Sequence, residues 1–268
     1  MHSGAPLREV LIKGLDDSAI HREVGGRPLL EVLVTAVNEG RLEWTGGRLA
    51  PPAPRNPRCS PWIPHDPERI PERGARHHYP PCWFLDRVLF RVVYERGAVP
   101  LACRHCYKVK VEVDTLAELV ALREQSLNIP YPSKCGAEVD QPLSRSRWSA
   151  YFYLDGLEAA FEVHRRVRER IDGQPALRDA RSSIKRGCTH FEMALGPSDQ
   201  WSFDESLGEL ERALLPLCGP PDEPPLNKHA SYLGWFETAF RIGDDSYLQL
   251  NGGKRVYPPT VDYLARGE

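Results

Sequence analysis

Apolar and polar positions repeat with two different periods along the middle of the chain. The segment 107–113 (Tyr-Lys-Val-Lys-Val-Glu-Val) alternates at every second residue, which is typical of a strand with one buried face. The segments 149–154 and 180–185 are interpreted as two further strands. The segment 83–96 instead has apolar residues three and four positions apart, which predicts a strongly apolar helix.

Capping signals predict where several other helices begin. In a capping box, a Ser, Thr or Asp side chain and a Glu three residues later bond to the free backbone amides of the first helical turn. Four such pairs predict helices that begin near residues 115, 155, 189 and 202. They are Thr115 with Glu118, Asp155 with Glu158, Thr189 with Glu192, and Ser202 with Glu205.

The order of these elements predicts an α+β fold. The predicted order is strand, helix, an irregular segment around Cys135, strand, helix and strand. This order matches a split β-α-β arrangement of the ferredoxin-like kind, with a central mixed or antiparallel sheet. Helical segments at both ends of the chain are expected to flank this sheet. In that topology the first and last strands are antiparallel neighbours, so Cys106 is predicted to lie beside Cys188. Cys135 is predicted to lie in an irregular connection that contains Pro130 and Pro132.

Proline-rich stretches divide the chain into four predicted parts. Residues 1–50 are expected to form a helix plus a hairpin, and residues 51–81 a proline-rich strap, because proline suits neither a helix interior nor a central strand. Residues 82–200 are the predicted metal-binding α+β core. Residues 201–268 are predicted to form a helical extension that packs on this core, with the aromatic residues of 229–241 on one helical face.

Composition narrows the class of protein. The chain is 41% hydrophobic and 27% charged, and no apolar run approaches the length of about 20 residues that spans a bilayer. We therefore expect no membrane insertion. Residues 1–6 lack the basic and apolar regions of a secretory signal, so a cytoplasmic location is expected. Seven cysteines in a reducing compartment favour metal ligands over disulfides.

Charge is distributed unevenly along the chain. The segment 41–110 has thirteen Lys and Arg residues and six Asp and Glu residues, whereas 190–225 has one Arg and eight acidic residues. Such segregation is compatible with a basic surface that attracts an anionic partner, including nucleic acid. An ordinary solvated surface has the same composition, so nucleic-acid binding is only weakly supported.

Four cysteines have the spacing of a metal site. Cys103 and Cys106 form a Cys-x-x-Cys knuckle, while Cys135 and Cys188 each adjoin a glycine. The knuckle follows a helix and precedes a strand, which favours metal ligation over a thioredoxin-like redox pair.

The identity of the metal is less constrained than the ligands. Structural zinc sites usually use two close cysteine pairs, whereas here one pair is combined with two distant single cysteines. We therefore predict a [4Fe–4S] cluster, with Zn²⁺ as the alternative. If only three thiols bind the cluster, then His105, His190 and Cys82 are the spare ligands.

Residues near Cys188 have the chemistry of a catalytic site. Lys185 and Arg186 are predicted to bind an anionic substrate, and His190, Glu192 and Lys185 are the candidate catalytic residues. The alternative role of Glu192 is helix capping.

Two functions are therefore predicted. The first is a cytoplasmic [4Fe–4S] enzyme that acts on a small anionic substrate, with its reaction unassigned. The second is a zinc-stabilised module that binds nucleic acid or a protein partner. Phosphate-loop, Rossmann and serine-hydrolase motifs do not occur in the sequence.

Overall fold

A five-stranded antiparallel sheet lies at the centre of the protein, with helices on both sides. This computed structural model describes residues 4–15, 20–53, 61–67, 80–140, 144–222 and 227–265. The mixture of helices, this five-stranded sheet and two small antiparallel hairpins confirms the α+β class. Within the described ranges, no helix is both long enough and apolar enough to cross a bilayer.

Short strands and helices occupy most of the described chain. The strands are β1 (Glu23–Val24), β2 (Arg27–Pro28), β3 (Glu43–Thr45), β4 (Arg48–Ala50), β5 (Trp62–His65), β6 (Cys106–Val113), β7 (Ser133–Ala137), β8 (Trp148–Asp155) and β9 (Arg181–Arg186). The helices are α1 (Gly4–Gly14), α2 (Leu29–Asn38), α3 (Leu116–Ser126), α4 (Leu157–Asp172), α5 (Thr189–Leu195), α6 (Leu207–Leu214), α7 (Lys228–Arg241) and α8 (Tyr247–Leu250). A π-helix spans Phe84–Val93, and one-turn 3-10 helices lie at Leu101–Cys103, Pro175–Leu177, Ser198–Gln200 and Leu215–Leu217.

The central sheet has the predicted split topology. Its strand order is β5-β7-β8-β6-β9, so β8 lies between β6 and β7, and β6 lies between β8 and β9. Helix α3 connects β6 to β7, and helix α4 connects β8 to β9. The first and last core strands pair antiparallel, with Tyr107 opposite Arg186, and the Gly187 amide donates to the Cys106 carbonyl at 2.8 Å. The predicted proximity of Cys106 to the end of β9 is therefore confirmed.

The segment around Cys135 is a strand, so the prediction of an irregular connection was wrong. β7 pairs with β8 on one side and with β5 on the other. Gly136 permits the second pairing, because a Cβ at this position would lie 2.1 Å from the Pro61 carbonyl oxygen. β5 comes from the proline-rich stretch and contains Pro64. As expected for a strand with proline, it lies at the edge of the sheet.

One of the four predicted capping boxes is formed as predicted. The Thr115 hydroxyl accepts a hydrogen bond from the Glu118 amide, and the Glu118 carboxylate accepts one from the Thr115 amide. The other three helices begin differently. Asp155 is the last residue of β8, so α4 begins after Gly156; α5 begins after Cys188 without a side-chain cap; and α6 begins at Leu207.

The apolar segment after the proline-rich stretch is helical, as predicted, but it is wound as a π-helix. The Tyr94 amide donates to the Leu89 carbonyl, five residues back, at 2.7 Å. Its apolar side chains are all buried, so they face the core on more than one side of the helix. They are Phe84, Leu85, Val88, Leu89, Phe90, Val92 and Val93.

The sheet separates two apolar cores. On one face, residues such as Val109 and Phe152 pack with α3, α4 and α7. The other core contains the N-terminal segments, the π-helix, Phe191 and α6, and it covers the end of β6 at Cys106. Polar side chains on the remainder of that second face line an open cavity.

Candidate ligand-binding site

Four lysines extend from neighbouring strands toward the same side of the sheet. Side chains alternate along β6, so Lys108 and Lys110 lie opposite the face that buries Val109. The register then places Lys134 and Tyr151 beside Lys110, and Tyr153 and Lys185 beside Lys108. Strand pairing therefore concentrates four cationic side chains and two tyrosines in one region.

These side chains line a cavity of about 560 Å³. This volume lies within the range of small-molecule sites in proteins. The full lining consists of Trp62, Lys108, Lys110, Lys134, Glu138, Ser144, Tyr151, Tyr153, Lys185, Cys188, Thr189, His190, Glu192 and Met193. The cavity thus combines aromatic walls with an excess of positive charge.

Lys134 lies against two aromatic rings. Its Nζ lies 4.2 Å from the centre of the Trp62 ring and 5.6 Å from that of Tyr151. Among the residues described, no carboxylate lies within ion-pair distance of it. Burial, and then the neighbouring Lys108 ammonium, lower the pKa of Lys134 to about 8. Its charge is therefore poorly compensated by the protein.

Lys108 is almost fully buried and contacts a sulfur atom. Only 8% of the residue is exposed, and its Nζ donates to the Cys188 Sγ at 3.0 Å. Burial disfavours the ammonium form, but negative charge on the Cys188 and Cys106 sulfurs outweighs burial and raises the pKa of Lys108. The lysine thus stays charged beside the two thiols that the topology brings together.

Glu138 is a buried carboxylate with four donors around it. Lys110 Nζ lies 2.8 Å from its Oε2, the Ser146 hydroxyl donates at 2.5 Å, and the hydroxyls of Ser144 and Tyr151 also donate to it. Burial alone would raise the pKa of Glu138, but these hydrogen bonds hold it at about 2. Glu138 is therefore ionised and already balances the charge of Lys110.

Three of the predicted catalytic residues line one end of the cavity. Lys185 Nζ donates to the Thr189 hydroxyl at 2.7 Å and lies 3.3 Å from the Glu192 carboxylate. This contact of Thr189 replaces the predicted capping box. His190 Nε2 lies 2.7 Å from the carboxylate of Asp86 in the π-helix.

Asp86 connects this end of the cavity to the apolar core of the π-helix. Burial would raise the pKa of Asp86, but hydrogen bonds from His190 and Arg91 lower it below its ordinary value. The carboxylate is therefore ionised and lies beside the His190 ring.

Arg186 does not line the cavity, so the structure gives no support to its predicted role in substrate binding. It pairs with Tyr107, which belongs to the opposite face of β6. Its guanidinium donates to the Arg104 carbonyl at 2.7 Å and lies 4.8 Å from the centre of the Phe203 ring. These contacts hold the turn between the knuckle cysteines.

The structure brings three of the predicted metal ligands to one side of the sheet and leaves the fourth on the other. Cys103, Cys106 and Cys188 belong to the core around the π-helix. Cys135 belongs to the other core, where its thiol donates weakly to the Ser126 hydroxyl at 3.9 Å. Burial raises the pKa of the Cys135 thiol to about 11. This thiol therefore has the surroundings of a packed core residue.

The four predicted ligands therefore lie on both sides of the sheet. Across the described ranges, no group of three or more His, Cys, Asp or Glu side chains is arranged to hold a metal ion. Of the spare ligands, Cys82 and His105 are exposed. Cys59 lies outside the described residues. The [4Fe–4S] cluster and the zinc ion thus stay predictions, and no chemical step is derived through them.

Sequence reasoning missed the lysine and aromatic residues that dominate the cavity. Two pairs of these residues are spaced two positions apart in predicted strands: Lys108 with Lys110, and Tyr151 with Tyr153. This spacing already places the members of each pair on the same face of their strand. Lys134 had no such signal, because β7 was not predicted. Its position depends on pairing between distant segments.

Comparison with known proteins gives no relative for this chain. No family model matches it, and neither a curated protein nor a solved structure is significantly similar to it.

Proposed function

We propose that the protein binds a small anionic ligand in the cavity on the uncovered face of the sheet. The observation that carries this proposal is the unequal pairing of its four lysines. Lys110 and Lys185 contact carboxylates, whereas Lys108 and Lys134 have no carboxylate within ion-pair distance in the described part of the chain. Lys108 contacts the Cys188 sulfur instead, so Lys134 is the cation of the cavity that an external anion can compensate.

Burial raises the cost of leaving a lysine charge uncompensated. A buried ammonium loses much of its hydration, and a hydrogen-bonded counter-charge offsets that cost. The rings of Trp62 and Tyr151 offset part of this cost, about 2 kcal/mol or more for a desolvated cation, but they carry no negative charge. A phosphate or carboxylate group beside Lys134 would supply the missing charge, and the low local dielectric would strengthen the contact.

The end of the cavity at His190 supports an enzymatic role for this site. Lys185, His190 and Glu192 place a cation, an imidazole and a carboxylate beside the proposed ligand. Such groups hold an anionic substrate and transfer a proton to or from it. The proposed function is therefore a small-anion-binding protein with the groups of an acid–base enzyme, and it requires no metal.

The state of the cysteines indicates the cellular compartment of the protein. Within the described ranges, Cys135, Cys188 and Cys218 are not joined in disulfides. Free thiols persist where glutathione and thioredoxin keep the environment reducing, as in the cytoplasm. We therefore propose a cytoplasmic location.

Calorimetric titration with inorganic pyrophosphate and with uridine monophosphate tests the ligand site. We expect both probes to bind the wild type at low ionic strength, and Lys134→Gln to weaken binding at least tenfold by removing an uncompensated cation. Lys254→Gln is the matched control, because Lys254 is exposed in the C-terminal tail. Circular dichroism of each variant checks that it is folded. Absence of binding to the wild type, or equal binding by Lys134→Gln, would overturn the proposal.

A further inference from the structure

A second cavity adjoins the first one along β6. Its volume is about 610 Å³, and it is lined by Lys110, Glu112, Arg145 and Arg181. Lys110 lines both cavities, so they meet at this side chain. The two cavities together form a longer basic groove that runs along β6.

The register shows how cations follow this groove. Lys185 lies beside Lys108 in one row across the strands, Lys110 occupies the next row, and Arg181 lies beside Glu112 in the third. Residues two positions apart on a strand are separated by about 6.8 Å, so the three rows cover about 14 Å. Positive side chains at this spacing suit a ligand with several successive anionic groups.

The charges that lack carboxylate partners occur in both cavities. Lys108 and Lys134 supply them in the first cavity, and Arg145 supplies one in the second, as judged from the ion pairs of the described residues. Lys110, in the middle, is balanced by Glu112 and Glu138, each at 2.8 Å. A ligand that reaches both Lys134 and Arg145 must therefore be longer than one phosphate group.

Aromatic rings line the same groove. Trp62 is on the edge strand β5, while Tyr151 and Tyr153 are on β8, an internal strand of the sheet. Proteins that bind single-stranded nucleic acid combine a basic groove with aromatic side chains that stack on the bases. The RNA-recognition module has this arrangement on the open face of a four-stranded antiparallel sheet.

We propose that this groove binds a single-stranded oligonucleotide, whose phosphates contact the two cavities in turn. The inference rests on the proposed anion site, because the oligonucleotide would place one phosphate beside Lys134. It adds the second cavity and the aromatic side chains to that site.

Fluorescence anisotropy with labelled oligothymidylate and oligouridylate of about eight nucleotides tests the inference. We expect at least tenfold tighter binding than for uridine monophosphate, and an affinity that falls steeply between about 50 and about 200 mM salt. Arg145→Gln and Arg181→Gln should each weaken oligonucleotide binding several-fold and leave the affinity for uridine monophosphate unchanged. Arg165→Gln, on the exposed surface of α4, is the control.

The outcomes separate this inference from the proposed function. If oligonucleotides bind no more tightly than uridine monophosphate, or if Arg145→Gln and Arg181→Gln have no effect, the longer groove is refuted while the anion site stands. Inorganic polyphosphate that competes as well as an oligonucleotide of equal charge would refute base stacking and hence the inference. Weaker oligonucleotide binding by Tyr153→Leu, with unchanged pyrophosphate binding, would support it. Failure of pyrophosphate and uridine monophosphate to bind refutes the anion site itself.

Discussion

At the scale of single residues, Glu138 determines which lysine charges of the cavity are already balanced by the protein. Its carboxylate contacts Lys110 and accepts hydrogen bonds from Ser146 and Tyr151. A buried carboxylate with this many donors is stable only in its ionised form. Because Glu138 balances Lys110 and the Cys188 sulfur contacts Lys108, the uncompensated charge of the cavity lies on Lys134.

We expect Glu138→Gln to change how stability depends on pH. The folded-state pKa of about 2 is below the ordinary value of 4.5, so ionised Glu138 stabilises the wild type above pH 4.5. This stabilisation is fully lost only when the pH falls through about 2. The shift corresponds to about 3 kcal/mol. Urea unfolding at neutral and acidic pH should show a steeper acid loss for the wild type than for Glu138→Gln.

Glu112→Gln serves as the comparison for this prediction. Glu112 also contacts Lys110, but it is less buried than Glu138 and has fewer donors. Its substitution should change the acid response less. Identical acid responses of the wild type and Glu138→Gln would contradict the role assigned to the buried carboxylate.

The sequence predicted those site residues that lie near one another in the chain. Lys185, His190 and Glu192 surround the end of β9, and local spacing was enough to group them. Trp62 and Lys134 are more than 70 residues apart in the chain, and they meet only because β5 pairs with β7. No local pattern contains that pairing, so the aromatic contact of Lys134 was not predictable.

β7 shows how a strand can form without strand-like residues. Ser133–Ala137 contains lysine and glycine and follows Pro132, so its own propensity is weak. Pairing with β8 and β5 satisfies its backbone from both sides. β6 was predictable because its alternation is local, whereas β7 is imposed by its neighbours. The same contrast explains why Thr115 caps a helix and Asp155, held at the end of β8, does not.

We expect Gly136→Ala to weaken the pairing of β5 with β7. The new Cβ would lie 2.1 Å from the Pro61 carbonyl oxygen and 2.8 Å from the Trp62 ring, so the backbone of β5 must move. Overpacking of this kind costs about 1–3 kcal/mol. Urea unfolding should show this loss, and pyrophosphate binding should weaken because Trp62 moves away from Lys134.

Gly173→Ala is the matched glycine variant. Gly173 follows α4 with a φ of −78°, and a Cβ there would contact no atom within 4 Å. Its stability should equal or slightly exceed that of the wild type. A Gly136→Ala protein as stable as Gly173→Ala would show that β5 does not require the close approach.

At the scale of the whole molecule, the sheet separates the predicted cysteine ligands into two groups. Cys135 faces the core of α3, α4 and α7, while Cys103, Cys106 and Cys188 face the core of the π-helix. The sequence places four cysteines at a plausible spacing, but it does not show on which face of a strand each one lies when that strand is itself unpredicted. Once the pairing of β7 is known, the alternation of side chains along this strand shows which face Cys135 is on.

We expect Cys135→Ala to leave the metal content of the protein unchanged. The side chain lies in a separate core, so iron, sulfide and zinc per chain should equal the wild-type values after anaerobic purification. The free energy of unfolding should fall by about 1 kcal/mol, because a buried sulfur is removed. Elemental analysis and urea unfolding measure the two effects. A loss of metal confined to Cys135→Ala and absent from Lys254→Gln would restore the four-cysteine site.

Both edges of the sheet discourage further strand addition. β5 is four residues long and contains Pro64, which has no amide hydrogen to donate. β9, at the opposite edge, places Arg181, Lys185 and Arg186 within six residues, and charges of this density oppose edge-to-edge pairing with another copy. Aggregation through the sheet is therefore disfavoured at both sides. A partner that extends the sheet by adding a strand is therefore disfavoured at both edges.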